Sequence, residues 1–170
     1  MIPRWLFPLV LLVATPAQAG PHDFPKASEC DALDSIPITP NVDYAARVRP
    51  LFGAYGCIGC HNTASAGGGL DLSGGNAHEL CFLVGVGASA EGSLSRVDPG
   101  NARDSFLYQK IGCESVPGAL GRMPPGSTRL TLADQAAIYD WITQGARGDP
   151  GFDCEPSPYL FVDGLESTRN

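Results

Sequence analysis

Five consecutive residues, Cys57-Ile58-Gly59-Cys60-His61, carry the sharpest chemical signal in the chain. Two thiols three positions apart are close enough to add to the two vinyl groups of one porphyrin, and an imidazole directly after the second thiol then lies beneath the iron as proximal ligand. C-x-x-C-H is accordingly the attachment signature of c-type haem. Two other chemistries use a C-x-x-C pair. A thioredoxin-like redox couple requires a βαβ setting, which the glycine-rich stretch after His61 does not supply. Half of a zinc site would need two further ligands at a second paired spacing, whereas Cys81, Cys113 and Cys154 each stand alone.

Elimination narrows the second axial ligand. Apart from Met1, the one methionine is Met123, in Gly121-Arg122-Met123-Pro124-Pro125-Gly126. A thioether in a proline-stiffened loop makes a good ligand arm and a poor core filler, although methionine does fill irregular gaps. His78 is the rival ligand, seventeen residues beyond His61 in an apolar stretch, and the pattern places it on a helix surface. His22 falls in an irregular segment. Arg122, beside the methionine, has two readings: a partner for a haem propionate or a solvated loop cation.

Stepping outward, the chain has 170 residues, enough for one domain, with 21 Gly and 15 Pro. Short helices in a loop-rich chain are expected. Eleven basic against 18 acidic residues leave a net charge of −7, which argues against a nucleic-acid partner. Residues 1–19, with Arg4, an apolar run from Trp5 to Val13 and Ala17-Gln18-Ala19, read as a secretory signal peptide. The apolar run is too short for a membrane span, so none is expected after cleavage. An exported, periplasmic location follows, where disulfides persist.

The elements are then predicted in order. Residues 20–41 form an irregular, proline-containing lead-in. A helix over Asp43 to Tyr55 presents Val48, Leu51, Phe52 and Tyr55 on one face, with a break or kink at Pro50. Asn62 to Gly75 is a loop whose backbone approaches something closely. Asn76 caps a short helix through His78, Leu80 and Leu83, and Asn101 or Asp104 starts another through Phe106, Leu107 and Ile111. Val116 to Arg129 is irregular. The last helix is capped by Thr131, buries Ala137, Ile138, Trp141 and Ile142, and stops at Gly145. A Pro-rich tail occupies 148–170. Gly85-Val86-Gly87-Ala88-Ser89-Ala90 matches a dinucleotide fingerprint, but the Gly, Ser and Pro that follow deny it the required helix. Cys30, Cys81, Cys113 and Cys154 form an even set with three possible pairings, of which Cys81 with Cys113 and Cys30 with Cys154 are favoured here.

In this order, the first helix, C-x-x-C-H, Gly68-Gly69-Leu70-Asp71-Leu72, Pro99-Gly100, Ser105-Phe106-Leu107-Tyr108, Arg122-Met123-Pro124-Pro125 and the final helix resemble the small mono-haem cytochrome c domains of bacterial exported proteins. The resemblance covers residues 42–147. It implies an all-α cytochrome c fold, with short helices around one covalently attached haem and long irregular loops and tails. In that fold Leu51, Phe52 and Tyr55 meet Ile138, Trp141 and Ile142. It further implies Cys57 and Cys60 as thioether sites, His61 as proximal ligand and Met123 as distal ligand of haem c. With both axial positions filled, the expected function is periplasmic electron transfer with redox partner proteins, not catalysis by this chain alone. The alternative class is a haem subunit of an oxidoreductase complex, a peroxidase or a ligand sensor.

Overall fold

The computed structural model describes residues 30–90, 94–114, 121–126 and 128–148. Residues 1–19, expected to be a signal peptide, together with His22, the rest of the lead-in before Cys30, Cys154 and the residues beyond 148, lie outside the described residues.

Helix begins where the apolar periodicity placed it, but in two pieces. The Asp43 carboxylate accepts from the Ala46 N–H at 2.7 Å. A π-helical turn, Tyr44–Val48, then runs into α1, Arg49–Ala54. Pro50 explains the join. Lacking an N–H, it is tolerated in the first turn of a helix and not further in, so α1 starts around it. The Arg49 N–H reaches back to the Tyr44 carbonyl, which widens the preceding turn.

The helix α2, Asn76–Leu83, has Gly75 rather than Asn76 at its cap position. Ser105, not Asn101 or Asp104, precedes α3, Phe106–Gly112. Its hydroxyl accepts from the Asp98 N–H at 2.8 Å and donates to the Asn101 carbonyl at 2.9 Å, which folds the Asp98-Pro99-Gly100 turn onto the helix start. The helix α4, Leu132–Thr143, follows the predicted pattern. Thr131 Oγ1 accepts from the Asp134 N–H at 3.2 Å, and Ala137, Ile138, Trp141 and Ile142 are buried. Gly145, at φ +99°, ends it. The Gly145 N–H reaches the Ile142 carbonyl and the Ala146 N–H the Trp141 carbonyl, the paired bonds of a Schellman motif.

The expectation of an all-α cytochrome c fold is not met. The four α-helices are short, and helix makes up about 40 % of the described residues. Among the described residues between α2 and α3 the chain forms turns, bends and isolated bridges, with Val84 bridged to Val97 and Gly87 to Ser95. Glycines at positive φ, Gly85 and Gly100 among them, interrupt helix in this stretch. No helix starts within the described part of the Gly85-to-Ala90 fingerprint, as a dinucleotide site would require.

One apolar core joins these elements. Val48, Leu51 and Phe52 share it with Leu80 and Leu83 of α2, Ile111 of α3, and Ile138, Trp141 and Ile142 of α4, while Tyr55 packs at its margin. The Tyr44 ring lies 5.0 Å from Trp141. The Tyr44 hydroxyl donates to Glu79 at 2.9 Å, and Arg49 Nε donates to the other carboxylate oxygen at 3.1 Å. Both oxygens of this fully buried Glu79 are thereby satisfied.

The disulfides differ from the expected pairing. Cys30 is joined to Cys113, and Cys81 is also disulfide-bonded, which excludes both Cys81–Cys113 and Cys30–Cys154. The reason is the path of the lead-in. The Asp31 N–H donates to the Gly112 carbonyl at 2.8 Å, laying residues 30 and 31 along the end of α3. Leu33 is fully buried, and the Thr39 N–H donates to Asp140 at 2.8 Å. Among the described residues, no helix is long and apolar enough to cross a membrane.

Candidate functional site

The thiol motif follows the C-terminal end of α1. Gly56, at φ +70°, turns the chain, and Cys57–Gly59 form a 3-10 turn. The Cys57 carbonyl then accepts from the His61 N–H at 2.9 Å. Cys57 is half-buried and Cys60 exposed, and both are reduced, while Cys30, Cys81 and Cys113 are oxidised. Burial pushes the Cys57 thiol up, and the neighbouring Cys60 adds to the shift. A redox dithiol gains its reactive thiolate from a helix N-terminus, whereas this pair sits past a helix C-terminus. The oxidised cysteines are likewise withdrawn from thiolate coordination of zinc. Among the described residues, no group of three or more His, Cys, Asp and Glu gathers to hold a metal ion.

Two residues that the sequence did not single out fix His61. Asn62 donates through its amide to the Ile58 carbonyl at 2.9 Å and accepts from the Ala64 and Ser65 N–H groups at 2.9 and 3.1 Å. It pins the motif to the start of the glycine-rich loop. That loop then returns, and His61 Nδ1 donates to the Gly67 carbonyl at 2.9 Å. A Cβ on Gly67 would stand 3.2 Å from the Cys60 carbonyl oxygen and 3.4 Å from His61 Cε1, so the close backbone approach favours glycine. The next carbonyl, Gly68, accepts from Arg96 Nη2 at 2.9 Å and from Ser89 Oγ at 2.7 Å.

Cys57, Cys60, His61 and Met123 all line one cavity of about 530 Å³. Its apolar walls come from every helix: Leu51 and Phe52 of α1, Leu83 of α2, Leu107 of α3 and Ile138 of α4. The size falls within the roughly 300–1,000 Å³ common for small-molecule and cofactor sites. Arg96 and Lys110 bring cations to the wall, and burial lowers the pKa of both.

Met123 is held from behind. Its N–H donates to the Lys110 carbonyl at 2.6 Å, and the Lys110 ammonium donates to the Gly121 carbonyl. Arg122 takes neither of the roles expected for it. Its side chain is only 7 % exposed and pairs with Asp31 and Glu114, while Nε donates to the Ile111 carbonyl at 2.8 Å. His78 stays partly exposed, with Nε2 3.1 Å from Asp71 and its ring 4.7 Å from Phe82. It is not part of the cavity wall.

Set against known proteins, the chain matches no family model, no curated protein and no solved structure.

Proposed function

We propose that this chain is an exported mono-haem c-type electron carrier, with Cys57 and Cys60 as thioether sites and His61 Nε2 and Met123 Sδ as axial ligands. The observation that carries the proposal is the bond from His61 to the Gly67 carbonyl. A carbonyl only accepts, so Nδ1 holds the ring proton and the lone pair is left on Nε2, the tautomer that a metal-binding imidazole needs. This imidazole, two reduced thiols and the thioether of Met123 line the same apolar cavity, a donor set that fits an iron porphyrin.

Haem held by these four residues would supply a one-electron couple. The chain's part would be to keep the His61 and Met123 donors in place. Gly67 and Asn62 fix the imidazole, and Pro124 and Pro125 stiffen the loop that carries the thioether. Leu51, Phe52, Leu83 and Ile138 exclude water, which together with a thioether ligand favours the reduced state. The net charge of −7 opposes this in part. Donor and acceptor are redox proteins, and turnover of a substrate is not part of the proposal.

Mass spectrometry of the denatured, exported protein is the test, and a mass equal to the bare polypeptide overturns the proposal. Met123→Ala is expected to retain covalent haem, lose the far-red Met–iron band, bind carbon monoxide in the ferrous state and have a lower reduction potential. A wild-type protein that carries haem but lacks the far-red band would instead favour an open site, as in a sensor or peroxidase.

A further inference from the structure

Residues 30 and 31 converge on the loop that carries Met123 although nothing in their sequence marks them for it. Cys30 is bonded to Cys113, one residue past the end of α3, and the Asp31 N–H donates to the Gly112 carbonyl at 2.8 Å. The Asp31 carboxylate then joins two further elements, the loop and α4. It accepts from both terminal guanidinium nitrogens of Arg122, from Nη1 at 3.2 Å, and from Gln135 Nε2 of α4 at 2.8 Å. Gln135, fully buried, also donates to the Leu130 carbonyl at 3.0 Å. Arg122 is the residue before Met123. Its guanidinium is buried between Asp31, Glu114 and the Ile111 carbonyl, so Asp31 supplies much of the negative charge that keeps it there.

We infer that Cys30, Cys113 and Asp31 form a strap that positions the Met123 thioether for axial ligation. This rests on the proposed haem reading. Asp31 is a positioning residue acting through Arg122, and the disulfide fixes Asp31 in place. Without the strap, the attachments of the loop to the α3 side that remain among the described residues are the Met123–Lys110 backbone bond, the Lys110–Gly121 contact, the bond from Arg122 Nε to the Ile111 carbonyl and the exposed Glu114. The thioether would then leave its position more often than the imidazole, which is held separately by Gly67.

The test uses the exported holoprotein with Asp31→Asn, Asp31→Glu and, as control, Asp140→Asn, whose carboxylate ties Thr39 to α4. Three quantities are read: haem mass, the far-red Met–iron band with ferrous carbon monoxide binding, and hydrogen exchange at the Met123 amide. Asp31→Asn is expected to keep its haem, lose at least half of the band, bind carbon monoxide at least tenfold more readily, and exchange the Met123 amide at least tenfold faster. Asp31→Glu restores part of each, and Asp140→Asn leaves all three near wild type. A haem-loaded Asp31→Asn with wild-type band and exchange overturns the strap while leaving the haem reading intact. Equal loss in Asp140→Asn overturns it too, because the effect is then general loosening. Absence of haem from the wild type overturns both. Should Asp31→Asn lose haem, the exchange rate at Met123 relative to the amides of α4 still decides: unchanged protection sinks the strap, and selective loss supports it.

Discussion

Gly67 has no side chain, yet its carbonyl determines which nitrogen of His61 carries the proton. Gly67→Ala places a methyl group 3.2 Å from the Cys60 carbonyl and against the imidazole, so the loop must shift. The expected cost is about 1–3 kcal/mol of stability. The slowly exchanging Nδ1 proton signal of His61 should disappear from the NMR spectrum, whereas its persistence would show that the loop accommodates alanine. Cys57, Cys60, His61 and Met123 could be singled out in the sequence because their side chains are donor groups, and the structure brings all four to one cavity. Gly67 could not be, because a backbone carbonyl is common to all residues and only the return of the loop selects this one. Asn62 was hidden for a related reason, since its contacts extend in both directions along the chain. Arg122 was read by proximity to Met123, and its carboxylate partners come from distant and local residues that proximity does not reveal.

Elements whose signals lie within one short window were read well. In α4 the cap, the buried stripe and the terminating glycine fall between Thr131 and Gly145, and the structure follows them. Thr131→Ala is expected to cost about 1 kcal/mol, read as a shift in the denaturation midpoint with the slope unchanged. The start of α3 was misread because Ser105 acts through Asp98 and Asn101, a turn closed by hydroxyl bonds rather than a one-residue cap. Disulfide pairing was less legible still. It depends on the lead-in lying along α3, and residues 30–41 have no periodicity to announce that path. Peptide mapping without reduction should yield Cys30 linked to Cys113, with Cys81 held in a different disulfide. A Cys81–Cys113 peptide would contradict the structure. Closing a separation of 83 residues constrains the unfolded chain by about 4–5 kcal/mol in the loop-entropy view.

At the scale of the molecule, three carboxylates among the described residues, Asp31, Asp71 and Asp134, titrate below their ordinary range. Arg122 holds Asp31 down; Ser73, with Thr63 and His78, does the same for Asp71. For Asp134, burial opposes ionisation, but bonds from Tyr55, Thr131 and Arg47 outweigh it. A depressed folded-state pKa means that the unfolded chain takes up protons first as the pH falls. The stabilisation is therefore fully present above the unfolded value of about 4 and is lost as the pH drops through the folded values. Thermal midpoints should be nearly constant from about pH 7 to 5 and fall below about pH 4, with a shallower fall in Asp71→Asn. An equal fall in that variant would remove Asp71 from the account. At this scale the helical signals were visible one by one, but the bridges of Val84 to Val97 and Gly87 to Ser95 were not, because they join single residues without strand alternation. The Cys30–Cys113 link also bears on how the chain is made. It passes over Cys57, Cys60 and Cys81, so a catalyst that oxidised thiols in their order along the chain would consume the motif in wrong pairs. Maturation must therefore either delay oxidation until the two ends of this link have met or reshuffle early pairs, and Cys57 and Cys60 must be kept reduced meanwhile.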